Sequence, residues 1–257
     1  MKKIIPLLLM SFLLTGCGLL HFGGGGKNGS SQNNPSHNSS QNVNTSSQNP
    51  TTQNQSSAKS ESDILGEAIT LMNDYNYHFT YTININYSGY PEEYAEFFDD
   101  ETIGPYEYDY DYPRVHVWSE ADSINEYYKI NNDNFDTITR YYQKNGVWTI
   151  QEDYSITGER AQVKYFDQQV HNVSDYVKDN SEDLLFKMTD AKLQENGFDS
   201  LYLKIDYSNN HVNKVTVDSL VSMSQLIPEE STNMTVNTNL RGVLTDFGNN
   251  SVTLPTV

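Results

Sequence analysis

Cysteine is almost absent from this sequence: Cys17 stands alone among 257 residues. That excludes an internal disulfide and a cysteine-built zinc site. Basic residues are scarce as well. Sixteen Lys and Arg face 34 Asp and Glu, a formal charge of −18 with a pI near 4.5. A phosphate backbone requires clustered cations, so nucleic acid is excluded as a partner. The same balance argues against peripheral adhesion to anionic lipid heads. Apolar residues reach only 36%, too few for a chain that crosses a membrane many times. Catalytic signatures are missing too. No Gly-x-Ser-x-Gly elbow occurs, and the histidines after residue 60 (His78, His116, His171 and His211) form no His-x-His or His-x-x-x-His pair. Carboxylate pairs of the glycosidase kind arise by chance among 34 acids. The expectation is a protein that is not an enzyme and holds no cofactor.

What is there begins at the first residue. Lys2 and Lys3 precede an apolar stretch from Ile4 to Leu14, eleven residues long. That length suits a secretory signal and is too short to span a bilayer. It ends in Leu14-Thr15-Gly16-Cys17. This run resembles the lipobox of bacterial lipoproteins: a Leu, two small residues and the modified cysteine. The resemblance implies a signal peptide over 1–16, cleavage before Cys17 and a thioether-linked diacylglyceryl group on its sulfur. Small residues let a peptidase reach the bond, and a thiolate is the nucleophile that lipidation needs. Two acyl chains anchor stably where one is marginal. The expected location is the extracytoplasmic face of a cell membrane, held by the lipid.

Residues 17–60 read as a tether. From Gly23 to Ser60, 33 of 38 residues are Gly, Ser, Asn, Gln, Thr or Pro. Such a run cannot bury apolar surface and is expected to be disordered. A flexible coil of that size spans roughly 35 Å on average and on the order of 120 Å when stretched.

Residues 61–257 read as the folded domain. All 34 acids and 12 of the bases lie there, a balance of −22. Tyr and Thr are abundant, which favours sheet. Ser60 and Ser62 are N-cap candidates for a helix carrying Ile64, Leu65, Ala68, Ile69, Leu71 and Met72 at helical period. His78 to Tyr87 then alternates without a break, with Phe79, Tyr81, Ile83, Ile85 and Tyr87 on one face. Strands are expected at Arg114–Trp118 and Glu126–Ile130. A hairpin is expected where Ile138–Lys144 meets Asn145-Gly146 and Val147–Gln151 returns, because both turn residues must take positive φ. Phe166, Val170, Val173 and Val177 carry a helical spacing within Tyr165–Gly197. Leu184, Leu185, Met188 and Ala191 fit a second helix or a short strand. Later strands are expected at Leu201–Tyr207, Val212–Val217 and Met234–Thr245, the last followed by a turn at Asp246-Phe247-Gly248.

One segment stands out. Residues 88–113 hold nine acids and eight aromatics, bounded by Pro and Gly as an excursion. Its second half alternates Tyr106, Tyr108, Tyr110 and Tyr112 with Glu107, Asp109 and Asp111. That pattern fits an edge strand with a ring face and a carboxylate face. The four tyrosines are a candidate partner surface for a basic protein or a cell-wall component. Asp99, Asp100, Glu101, Asp109 and Asp111 are the candidate calcium ligands, although the twelve-residue spacing of an EF-hand is absent.

The order of elements after the tether resembles the LolA/LolB-type lipoprotein carriers and their LppX-like relatives. The order is helix, long alternating strand, meander with hairpin, helical segment and further strands, closing on Asp246-Phe247-Gly248 and Val252-Thr253-Leu254-Pro255. The resemblance implies an α+β fold in which a strongly curved antiparallel sheet, an unclosed half-barrel, wraps a few helices. It also implies non-covalent binding of a lipid or other apolar ligand. The residues expected to line that space are Phe79, Tyr81, Ile83, Ile85, Trp148, Leu203 and Ile205. The Tyr/acid insertion at 88–113 departs from the pattern.

Overall fold

The structure is a computed structural model that describes residues 59–131, 138–154, 171–227 and 232–257. The signal peptide, Cys17 and the tether up to residue 58 lie outside the described residues, as do Phe166 and Val170. Among the described residues, no helix is long and apolar enough to cross a membrane.

The described chain begins with the expected helix, α1 (Glu61–Asn73). Ser60 closes a capping box: its hydroxyl accepts from the Asp63 amide, and the Asp63 carboxylate accepts from the Ser60 amide. Two amides that would otherwise lack partners are thereby satisfied. Ile64, Leu65, Ala68, Ile69 and Met72 form its buried stripe. The last residue, Asn73, is held from outside the helix: its amide group donates to the His171 carbonyl at 2.9 Å and accepts from the His171 amide at 3.2 Å.

Among the described residues, eleven strands follow in a single antiparallel sheet. They are β1 (Asn76–Ser88), β2 (Glu101–Asp111), β3 (Arg114–Ser119), β4 (Ile124–Ile130), β5 (Ile138–Lys144), β6 (Val147–Tyr154), β7 (Tyr176–Asp179), β8 (Leu185–Met188), β9 (Ser200–Ser208), β10 (His211–Ile227) and β11 (Thr232–Thr245). Their spatial order is β6-β5-β4-β3-β2-β1-β11-β10-β9-β8-β7. Every neighbouring pair but one is consecutive in sequence. The exception is β1 with β11, which join in register from His78 opposite Thr245 to Ser88 opposite Thr235. The sheet is thus two meanders welded at a central seam, open between β6 and β7. Among the described residues the sheet is not closed into a barrel, and helices are few beside it.

Alternation explains which face each strand buries. On β1 the odd residues Tyr77 to Tyr87 are buried. They lie opposite Tyr106, Tyr108 and Tyr110 on β2, and beyond those come Val115 and Val117 on β3. On the other side of the seam the same face carries Met234, Val236 and Leu244 of β11, Val215 and Val217 of β10, and Leu201, Leu203 and Ile205 of β9. Helix α1 joins this cluster and touches β1, β9 and β10. We call this the inner face.

Several expectations are corrected. The Tyr/acid stretch is not an edge strand: β2 pairs with β1 on one side and β3 on the other. Val173 and Val177, read as one helical stripe, belong instead to a 3-10 turn (Val173–Asp175) and to β7, and both side chains are exposed. Leu185–Met188 forms the short strand β8, and a seven-residue helix, α2 (Asp190–Asn196), follows it. β10 runs ten residues beyond Val217, because its far half pairs with β11 down to Ile227 opposite Thr232. The Asn145-Gly146 hairpin forms as expected, with φ of 54° and 78°.

Candidate functional site

Six of the seven residues expected to line a ligand space lie on the inner face: Phe79, Tyr81, Ile83 and Ile85 of β1 with Leu203 and Ile205 of β9. None is more than 5% exposed, and all belong to one apolar cluster. β11 and β10 lie between the two strands, so the six line a common wall without forming a single patch. Trp148 is a correction. Its cross-strand partner is Gln143, whereas the inner face continues through Tyr128, Arg140 and Gln151. Trp148 therefore lies on the outer face and lines nothing inside.

The rings of β1 and β2 form a packed ladder. Tyr81 stacks on Tyr106 at 5.3 Å and on Tyr108 at 5.6 Å, and Tyr108 stacks on Tyr110 at 5.9 Å. Phe79 sits against Tyr81 and leans over Gly242 of the seam. Tyr106, Tyr108 and Tyr110 are each 2% exposed, so they cannot serve as a partner surface. Tyr112, at 39%, is the one tyrosine of the four that solvent reaches. The physical reason is that β2 is an internal strand. Its rings follow the buried odd face of β1, and its carboxylates take the outer face.

The inner face also holds a charged group that sequence reading did not anticipate. Glu126 of β4 is buried and pairs with Arg140 of β5. The guanidinium uses two nitrogens: Nε donates to Oε2 at 2.8 Å, and Nη2 donates to Oε1. Tyr128 donates its hydroxyl to Oε2 at 2.5 Å. The rings of Tyr142 and Tyr154 lie 4.6 and 4.8 Å from the guanidinium carbon. Carboxylate, guanidinium, hydroxyl and rings satisfy one another, which is what makes a buried ion pair tolerable. The pair interrupts a largely apolar wall near the β6 edge, on a face that also buries Ser119 and Ser219. Its sequence signal was Glu126 at an inner position of an alternating strand.

The candidate calcium ligands do not converge. Among the described residues, no group of three or more His, Cys, Asp or Glu is placed to hold a metal ion. Asp99, Asp100 and Glu101 sit at the start of β2, and Asp100 accepts from the Tyr87 amide at 3.4 Å. Asp109 and Asp111 sit at its far end, roughly 26 Å away along the strand. Asp109 contacts His78 Nδ1 at 2.9 Å. Asp111 accepts from Arg114 at 2.5 Å and from the Val252 amide at 3.0 Å. Tyr87, on the inner face, has its hydroxyl pushed up to about 12 by burial, helped by Glu101 and Asp100.

The outer face carries a second set of rings that the sequence reading passed over. His116 lies between Trp118 at 4.7 Å and Tyr127 at 4.1 Å, nearly parallel to the latter. Trp148 meets Tyr127 edge-on at 5.4 Å, and His78 reaches Trp118 at 5.6 Å. The signal lay in Arg114-Val115-His116-Val117-Trp118. The small valines take the inner positions, so the large rings must face out.

No protein-family model matches the chain, and no curated protein matches it.

Proposed function

We propose that this chain is a non-catalytic lipoprotein, anchored through diacylated Cys17 on the extracytoplasmic face of a cell membrane. In this reading its domain holds a lipid or another apolar ligand against the inner face, and the open sheet is a strongly curved half-barrel of the LolA/LppX kind. One observation supports the reading: among the described residues, the inner face is lined mainly by apolar side chains across most of its strands. Those buried side chains continue from Ile138 on β5 to Met188 on β8, and α1 lies against the same face at β1, β9 and β10. A largely apolar wall suits an acyl chain. Burying ten methylenes contributes about 8 kcal/mol, the scale of a micromolar complex before ordering costs. The anchor is supported by the lone cysteine in Leu14-Thr15-Gly16-Cys17 and by the exposed Ser60 cap, where the polar run enters the fold.

The test is native mass spectrometry of the chain carrying Cys17→Ser, followed by organic extraction and titration with a fluorescent fatty acid. A co-purifying lipid of one defined mass, or saturable uptake of the probe, is expected. An apo mass together with no uptake would refute the reading.

A further inference from the structure

The protein has two tryptophans, and neither is in the core, which Tyr and Phe side chains such as Phe79, Tyr81 and Tyr110 help to build. Trp118 of β3 and Trp148 of β6 share the outer face, opposite the one that α1 covers. With His78, His116 and Tyr127 they form a contiguous row of half-buried rings, with centroids 4.1 to 5.6 Å apart. The row crosses the sheet from β1 to β6, a width of about 24 Å at the usual strand spacing. Ile150, 41% exposed, lies on the same face of β6. The solvated face of an antiparallel sheet is ordinarily polar, and a contiguous strip of aromatic rings on it suits a contact surface.

Charge selects the occupant. The carboxylates of the Tyr/acid strand stand beside the rings: Glu107 is opposite Trp118, and Asp109 is opposite His116. Their side chains are 36% and 33% exposed, and each faces the imidazole of His78, at 3.5 and 2.9 Å, rather than a permanent cation. Arg114 is taken up by Asp111 at 2.5 Å. Lys129 stands opposite Arg114, at the other end of β3 from Trp118. Residues 61–257 carry 34 acids against 12 bases, so the surrounding field is also negative.

We propose that the outer face of β1 to β6 binds a cationic polypeptide segment. Its Arg and Lys side chains lie along the ring row by cation–π contact and pair with Glu107 and Asp109. This surface is separate from the inner wall and stands whether or not that wall holds a lipid.

The test uses the whole chain carrying Cys17→Ser and an eight-residue oligo-lysine, with binding measured by calorimetry and by tryptophan emission. Saturable binding with a change in emission is expected, because both tryptophans are in the site. Tyr127→Thr with Trp148→Thr leaves the charge unchanged and is expected to weaken binding at least tenfold. Glu107→Gln with Asp109→Asn is expected to do the same. If the double ring variant does not fold by circular dichroism, Trp148→Thr alone, on the edge strand β6, serves in its place. Unchanged affinity in a folded ring variant would mean that net charge alone holds the peptide, and it would overturn the proposal. So would an emission change with neutral chito-oligosaccharide and none with oligo-lysine.

Discussion

Glu126 and Arg140 show how much one residue can matter on an apolar wall. Each charge is tolerated because the other is present, with Tyr128 adding a hydroxyl donor. Removing one partner leaves the other buried and uncompensated. Glu126→Gln is therefore expected to cost about 3–5 kcal/mol, whereas Glu126→Met with Arg140→Met recovers most of that loss. Urea denaturation of the two variants checks both values. His171 makes a different prediction. Burial lowers its imidazole to about 4, with Asp175 pulling in the opposite direction, and its Nδ1 lies 2.7 Å from the Tyr176 hydroxyl. An unfolded histidine takes its proton near 6.5. The folded value is depressed, so the contribution to stability is complete above about pH 6.5 and is lost as pH falls towards 4. Linkage puts the loss on the order of 3 kcal/mol. His171→Gln should flatten the stability profile in that window relative to the parent, as read from denaturation midpoints between pH 4 and 7. Because Asn73 grips the backbone of His171, acid should also loosen the end of α1.

At the scale of elements, the seam between β1 and β11 depends on a missing side chain. A Cβ on Gly242 would meet Phe79 Cε2 at 2.5 Å. Phe79 is 3% exposed and wedged against Tyr81 and Tyr108, so its ring has little room to retreat. Gly242→Ala is expected to destabilise by about 1–3 kcal/mol, and adding Phe79→Leu should return part of it in the same melting assay. Ser60→Ala removes the capping box of α1 and is expected to cost about 1 kcal/mol. These elements were also the legible ones. α1 announced itself by its cap and its stripe, β1 by strict alternation, and the β5–β6 hairpin by Asn145-Gly146. What the sequence could not convey is which strands become neighbours across long separations. The Tyr/acid stretch has the same local pattern whether it lies at an edge or inside, and β1 and β3 make it internal. Val173 and Val177 carry a helical spacing by coincidence, because the 3-10 turn and β7 divide them between two short elements. Trp148 is expected to line the ligand space, but its position opposite Gln143 puts it on the other face. The inner wall was thus legible strand by strand, whereas the outer ring row became visible only once β1, β3, β4 and β6 were aligned.

At the scale of the molecule, one sheet does the work of two halves. β1 to β6 and β7 to β11 are separate meanders that share a single inner face, and the longest ladders lie on or beside their junction. Such sharing predicts one cooperative unit. Both tryptophans sit in the first meander, so their emission reports on that half, while far-ultraviolet circular dichroism reports on the whole. The two signals are expected to give coincident urea transitions; separated midpoints would show that the halves melt independently. The same junction also governs how the fold is reached. His78 must find Thr245, 167 residues away in sequence, and every other ladder can form between consecutive strands without that encounter. Closing so long a loop is entropically costly before any contact repays it, and sheets rich in distant pairings fold in milliseconds to seconds. Until β11 arrives, the unsatisfied backbone of β1 and the open inner wall remain exposed together. The rate at which this one seam closes therefore sets how long the chain is vulnerable to aggregation on its way to the native state.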